Sequence, residues 1–320
     1  MLLRFTSDNS MTLSSTDQTG DDRPASYPQP DLPLLYQGKV RDVYAVDDSH
    51  LLMLASDRLS AFDVILPDAI PEKGEILTGL SNFWFQHTAH LQRNHMSAIA
   101  LDDILPPAQA QALRRRAVIV KRLQPLPVEA IVRGYLIGSG WKDYQASGKL
   151  CGIELPADLR LADKLAAPLF TPSSKAQQGE HDENISYADV ADLIGAGLAA
   201  QLRAASLSLY QHAFAHAWER GIIIADCKFE FGLDEQQQLV LMDEIFTPDA
   251  ARFWPRDAWQ PGQNPPSYDK QFVRDYLETL DWNKQPPAPR LPAEVIAATV
   301  ARYQTAYRLL TGQPWQQENE

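Results

Sequence analysis

GIIIADCKFEFGLDEQQQLVLMDEIFTPD, residues Gly221 to Asp249, is the stretch from which the fold can be read. Gly221 ends the helix before it, and Ile222 to Ala225 form an apolar run. Polar residues then fall at alternate positions, Asp226, Lys228 and Glu230, with Cys227, Phe229 and Phe231 between them. Successive strand side chains point to opposite faces, so the polar three share one face and the apolar three take the other. A polar loop, Gly232 to Gln238, leads to a second strand, Leu239 to Met242, which ends at Asp243-Glu244. The pattern predicts a β-hairpin with one wet face bearing a lysine and at least two carboxylates. Such a set suits Mg²⁺ and phosphate oxygens, because Mg²⁺ prefers hard oxygen ligands and shares them with nucleotide phosphates. The same residues also suit ordinary salt bridges on a solvent face.

The elements around the hairpin follow from periodicity. Glu75 to His90 carries Leu77, Leu80, Trp84, His87 and Leu91 on one helical stripe, an amphipathic helix in which His87 reads as a core residue. Ser186 to Asp189 offers caps for a single long helix running to Arg220, with Val190, Ile194, Leu198, Leu202, Leu209 and Ala213 as its apolar stripe. Its two histidines, His212 and His216, read as structural. A final helix, about Pro292 to Leu310, shows Ile296, Val300, Tyr303, Tyr307 and Leu310 on one face and packs on the body or on a partner subunit. LLYQGKVRDVYAV, then a polar turn at Asp47 to Ser49, then LLMLAS, reads as one hairpin, with Lys39 and Arg41 on the same side of its first strand. Paired cations beside Gly38 can embrace phosphate oxygens, or can line a solvated edge. Val118 to Val120 is a buried strand leading into an extended linker, Lys121 to Leu123. Val128 to Val132 is another strand, followed by Arg133 and a glycine-rich loop, Gly138-Ser139-Gly140. An arginine fork with close backbone donors and a hydroxyl is an anion-binding set. Leu150 to Ala167 reads as loop, and so does the long polar stretch Phe170 to Ser186.

Six segments resemble one family. IIIADCKFEFG and LPVEAIVRGYLIGSGW (Leu126 to Trp141) are similar to the two signatures of the phosphoribosylaminoimidazole-succinocarboxamide synthases, the SAICAR synthetases of purine biosynthesis. YQGKVRDVY, SDRLSAFD, FTPSSKAQQGEHDENIS and SYDKQFVRDYL resemble it too, in family order from about Tyr36 to about Leu277. Pattern and resemblance together imply a two-lobed α+β fold: an antiparallel-sheet lobe, then a larger ATP-grasp-like lobe of sheet and helices, with the nucleotide between them. The expected divisions are a flexible extension over 1–33, a β-rich lobe over 34–120, an ATP- and substrate-binding lobe over 121–284, and a linker with a helix over 285–320.

The resemblance also implies the chemistry. ATP and Mg²⁺ serve as cofactors, and carboxyaminoimidazole ribotide condenses with L-aspartate to give the succinocarboxamide ribotide, ADP and phosphate. Gly38, Lys39, Arg41 and Lys228 are then expected at the ATP phosphates, and Val120, Lys121 and Leu123 beside the adenine. Glu230 and Asp243 are expected to hold Mg²⁺. Arg133, Gly138 and Ser139 fall to the ribotide phosphate, and Arg252 and Lys270 to ribotide or aspartate anions. Asp57, Arg58 and Ser60 belong to the imidazole nucleotide site. Lys175 and Asp182 face the reacting carboxylate and the incoming amino acid, and with Lys228 make up the expected catalytic set.

Composition narrows the alternatives. A net charge of -12 argues against a general nucleic-acid binder, which carries a basic face. Two cysteines, Cys151 and Cys227, make neither a disulfide framework nor a zinc site. No apolar run nears the ~20 residues of a membrane helix, and the start lacks a signal-peptide core, so a cytoplasmic monomer or small homo-oligomer is expected. A small-molecule kinase on the same framework would share the nucleotide residues without needing an aspartate site. A non-catalytic nucleotide-binding protein would need no acceptor groups.

Overall fold

Two antiparallel sheets carry the molecule, and the computed structural model describes residues 27–175 and 183–315. In the first lobe β1 (Leu34–Gln37), β2 (Arg41–Ala45) and β3 (His50–Ala55) form a meander. The short strands β4 (Ser60–Ala61) and β5 (Val64–Ile65) follow, then α1 (Lys73–His87), α2 (Pro107–Leu113) and β6 (Ala117–Lys121), which closes the order β1-β2-β3-β6. Alternation assigns the faces: Leu52 and Leu54 pack with Leu105, Ala110 and Leu113, while Leu51 and Met53 join Val43 and Val120.

The run expected as one strand is two. The chain reverses at Gly38–Val40, where the Gly38 N–H donates to the Arg41 carbonyl at 2.8 Å. A Cβ on Gly38 would stand 2.6 Å from that oxygen, so only glycine fits the turn. Lys39 therefore sits in the turn and Arg41 in β2, and the two cations do not share a strand face. Of the stretch expected to be a flexible extension, residues 1–26 lie outside the described residues. Tyr27 lies 4.1 Å from the Arg116 guanidinium, and Tyr44 donates to the Gln29 side chain.

The second lobe contains β7 (Gln124–Pro125), β8 (Val128–Tyr135), α3 (Gly138–Ser147), β9 (Lys149–Leu150), β10 (Ile153–Glu154), β11 (Lys164–Phe170) and β12 (Ser173–Ser174). It continues with α4 (Tyr187–Ile194), α5 (Ala196–Glu219), β13 (Ile222–Leu233), β14 (Leu239–Met242), β15 (Ala251–Pro255), α6 (Gln271–Glu278) and α7 (Ala293–Thr311). β13 is the axis of this sheet, pairing with β8, β15, β14 and β7. The β13–β14 hairpin has the expected register, from Glu230 opposite Met242 to Leu233 opposite Leu239.

The parity of β13 changes partway along. Ile222 and Ile224 share a core cluster with Cys227, Phe229 and Phe231, whereas Ile223 and Ala225 pack with Tyr135 and Trp254. The β13–β15 register shifts between Ile224 and Cys227, an irregularity of the kind that turns a strand's faces over.

Three further expectations are corrected. The long helix is broken at Gly195 (φ 85°, ψ 142°), which caps α4 and begins α5. Gly138-Ser139-Gly140 opens α3 rather than forming a loop. Leu150 to Ala167 contains strand as well as loop, namely β10 and most of β11. The predicted caps are present, with Ser186 and Asp189 forming a reciprocal capping box. Helix α7 packs on the body, where Tyr303, Ala306 and Leu310 join the α1 side chains Leu80 and Trp84. Among the described residues no helix is long and apolar enough to cross a membrane.

Candidate active site

Two neighbouring cavities lie along the organising hairpin. The first, about 490 Å³, opens between the lobes. Met53, Leu77, Phe85, Met96 and Val118 give it an apolar wall, and Arg41, Lys73, Arg116, Asp243 and Glu244 give it charge. The second, about 620 Å³, is lined by Arg133, Ser139, Lys228, Arg252 and Arg274 together with Asp226, Asp249 and Asp269. The linings of the two cavities differ in kind. One suits a flat apolar group with a charged tail. The other suits an anion.

The strand register builds the second cavity. Asp226 lies directly opposite Arg133 across β13 and β8, and their side chains meet at 2.8 Å. Asp226 also binds Arg252 from β15, so one carboxylate aligns two guanidiniums. Arg133 in turn donates to the Ser139 hydroxyl at 2.9 Å in the first turn of α3. Gly138 has φ +62°, and a Cβ there would stand 2.5 Å from the Arg252 guanidinium. Only glycine lets that arginine reach the start of the helix. Burial pushes the Arg133 guanidinium below its ordinary range, and Asp226 opposes this.

The face expected to be wet is largely enclosed. Lys228 pairs with Glu129 at 2.9 Å and Glu230 at 3.1 Å, and Lys175 also binds Glu230. Burial disfavours the Lys228 ammonium, but Glu129, Glu230 and Asp243 overcome it and hold its pKa well above the usual value. Glu230 is opposed by burial too, and Lys228 and Lys175 bring it down to about 2. Arg41 binds Asp243 at 2.7 Å and Glu244 at 3.1 Å, leaving Asp243 Oδ1 buried without a hydrogen-bond partner. Lys270 stands 3.7 Å from Asp249, and burial lowers its pKa to about 8.

The predicted residues divide accordingly. Arg133, Ser139, Lys228 and Arg252 line the second cavity, and Gly138 and Lys270 adjoin its walls. Arg41 and Asp243 line the first cavity, and Glu230 lies behind Lys228 and Lys175. Several others are placed elsewhere. Lys39 is exposed and pairs with Asp63. Asp57 accepts from the Gly74 N–H and from Arg116. Arg58 pairs with Asp42 and ties down the carbonyls of Gly38 and Lys39, and Ser60 lies in β4. The expected Asp57–Arg58 neighbourhood thus braces the turn and α1 rather than lining either cavity. Val120 is core, and the Lys121 N–H is taken by the His95 carbonyl, so Val118, not Val120, Lys121 or Leu123, walls the first cavity. Asp182 lies outside the described residues. Among the described residues no group of three or more His, Cys, Asp or Glu side chains could hold a metal. His216 is bonded to the Leu310 carbonyl.

Comparison with known proteins now decides the family. The family model for SAICAR synthetase matches residues 34–289. The phosphoribosylaminoimidazole-succinocarboxamide synthase of Actinobacillus succinogenes is 61% identical over 277 residues, covering 87% of this chain and 97% of its own. The chain belongs to the SAICAR synthetase family.

The solved SAICAR synthase of Saccharomyces cerevisiae, complexed with SAICAR, is 40% identical with a TM-score of 0.83, over 91% of this chain and all of that one. A SAICAR synthetase in complex with ADP shares the fold at 24% identity and a TM-score of 0.66, over 88% of this chain and 99% of that one. Within this SAICAR synthetase fold, several site residues escaped the sequence reading. Arg274 lies four residues after Lys270, a helical spacing that could have revealed it. Asp249 closes the organising stretch, and Glu129 sits in a quoted signature. Lys73 carried no signal beyond its place before the α1 stripe.

Proposed function

We propose that this chain condenses L-aspartate with carboxyaminoimidazole ribotide, using ATP, to form the succinocarboxamide ribotide, ADP and phosphate. The observation that carries this reading is the pairing of an anion cavity built by Arg133, Ser139, Arg252 and Arg274 with an apolar-walled, charge-ended cleft beside it. The ribotide phosphate belongs in the first of these and the nucleotide in the second.

A carboxylate is a poor electrophile, because oxide would have to leave. A ribotide carboxylate oxygen attacks the γ-phosphorus of ATP, the O–P bond forms, and the bridging P–O electron pair leaves with ADP. The aspartate amine then attacks the acyl carbon, the C–N bond forms, and the C–O bond to phosphate breaks as the ammonium proton is released. Positioning and charge neutralisation dominate such a reaction. Arg41 and Lys228 supply fixed cations toward the ATP phosphates, and Lys175 holds the reacting end with Glu230. Lys270 and Arg274 serve the ribotide or aspartate anions.

Glu230 and Asp243 are the donors that fit Mg²⁺, since Glu230 lies opposite Met242, the last residue of β14, Asp243 follows it directly, and Asp243 keeps a buried oxygen without a hydrogen bond. Bound there, the ion would neutralise phosphate charge. A cytoplasmic monomer or small homo-oligomer accords with this reading.

The deciding assay is ADP release from Mg²⁺-ATP and the carboxylated ribotide, with and without L-aspartate. Release that requires all substrates, with the succinylated product seen by mass, is expected. Turnover indifferent to aspartate would make the chain a kinase. Binding of ATP with no turnover would defeat the ligase reading.

A further inference from the structure

Lys73 is only 1% exposed, yet it opens α1, where the helix dipole disfavours a cation. The residue before it, Glu72, is left-handed at φ 64°, a conformation that an ordinary side chain adopts at a cost. The Glu72 carboxylate is held from the C-terminal end of the chain, by the Gln304 amide and the Trp315 indole N–H, both at 2.8 Å. A strained, braced turn thus delivers a lysine into the interior. Its Nζ lies 2.8 Å from Asp249 Oδ2.

Lys73 lines the cleft between the lobes and Asp249 lines the anion cavity, so this ion pair is the partition between the two. Among the described residues Arg41 is shared by two carboxylates, and Lys228 by another two. Asp249, like Glu230, has two ammonium groups around one carboxylate, here Lys73 and Lys270. If Lys73 turned from Asp249 to another anion, Lys270 would still neutralise the carboxylate. Burial is the main cause of the depressed Lys270 pKa; Asp249 opposes it, and Arg274 and Lys73 add to it.

We infer that Lys73 is a further binding residue of the reaction, a cation at the junction of the cavities that meets the phosphoryl group passing from nucleotide to ribotide. Transfer requires the two substrates to touch in line, and the Lys73–Asp249 partition is where the two cavities adjoin. The inference rests on the ligase reading above.

Lys73→Met and Lys73→Arg in the full-length protein test it, with kcat and the KM for each substrate measured beside Tm. A preorganised cation at a transferring phosphoryl group is worth about 100-fold in kcat, so Lys73→Met should lose about that much. Its KM for aspartate should change less than about threefold, and Lys73→Arg should recover about tenfold, by the same charge argument. A folded Lys73→Met variant with wild-type kcat overturns the inference. If that variant does not fold, Lys73→Met/Asp249→Asn is compared with Asp249→Asn alone. A further kcat loss of about 30-fold or more supports the inference, and equal kcat overturns it. Failure of the wild-type protein to form the succinylated product would strike the ligase reading itself, not the placement of Lys73.

Discussion

At the scale of single residues, this site is a set of buried charges that each need a partner. Asp226 neutralises both Arg133 and Arg252, and is 4% exposed. Removing one member of a buried ionic set leaves uncompensated charge and costs about 3–5 kcal/mol. Asp226→Asn should therefore lower the urea-unfolding free energy by about that amount and raise the KM for the ribotide. Glu230→Gln and Asp243→Asn should each abolish turnover or its Mg²⁺ dependence while the protein still unfolds cooperatively; normal Mg²⁺-dependent turnover in both would refute the metal assignment. Lys270 gives a pH signature. Burial brings its pKa from 10.5 to about 8, so the folded protein loses a proton that the unfolded chain keeps between those values. Stability from this group accordingly rises with pH across about 8 to 10.5, while its anion-binding charge disappears. The KM for an anionic substrate should climb as pH passes about 8, and Lys270→Met should remove that inflection.

At the scale of elements, the legible ones were those with a clean period. The α1 and α7 stripes and the alternation of Asp226, Lys228 and Glu230 were visible because each repeats with its own element's geometry. β11 was hidden: KLAAPLF contains Pro168 and no alternation, as suits an end strand with irregular pairing to β8. The break between α4 and α5 rested on Gly195 alone, and a lone glycine does not settle whether a helix ends. Gly138 shows an element and a residue acting together. Gly138→Ala would force a Cβ into the Arg252 guanidinium at a left-handed position. The variant should keep its helical circular dichroism, yet raise the ribotide KM about tenfold or more, the cost of displacing one charged hydrogen-bonding group.

At the scale of the whole molecule, the two lobes meet around the first cavity, with β2, β3 and β6 on one side and α1 and the end of the hairpin on the other. A ligand seated there binds the folded state alone and adds stability by mass action, about 2.7 kcal/mol at a hundredfold excess over its Kd. Mg²⁺-ATP and the ribotide should each raise Tm, and together more than either alone. An unchanged Tm with saturating ATP would mean that the folded protein does not bind ATP, against the ligase reading. The negative net charge is no obstacle to an anionic ligand, because Arg133, Lys228, Arg252 and Arg274 gather around one cavity.

From the sequence alone came the hairpin, the face that carries its lysine and carboxylates, the principal helices and the family, since these depend on local period and on residues close together in the chain. The tertiary structure alone decided which charges meet. Arg41 reaches Asp243 across 202 positions, and Lys73 reaches Asp249 between the two cavities. It also turned Asp57, Arg58 and Lys39 away from the cavities and brought Arg274 in. The physical reason is that periodicity tells which face of an element a side chain occupies. Which faces are brought together is settled by packing between distant segments, and no local pattern records it.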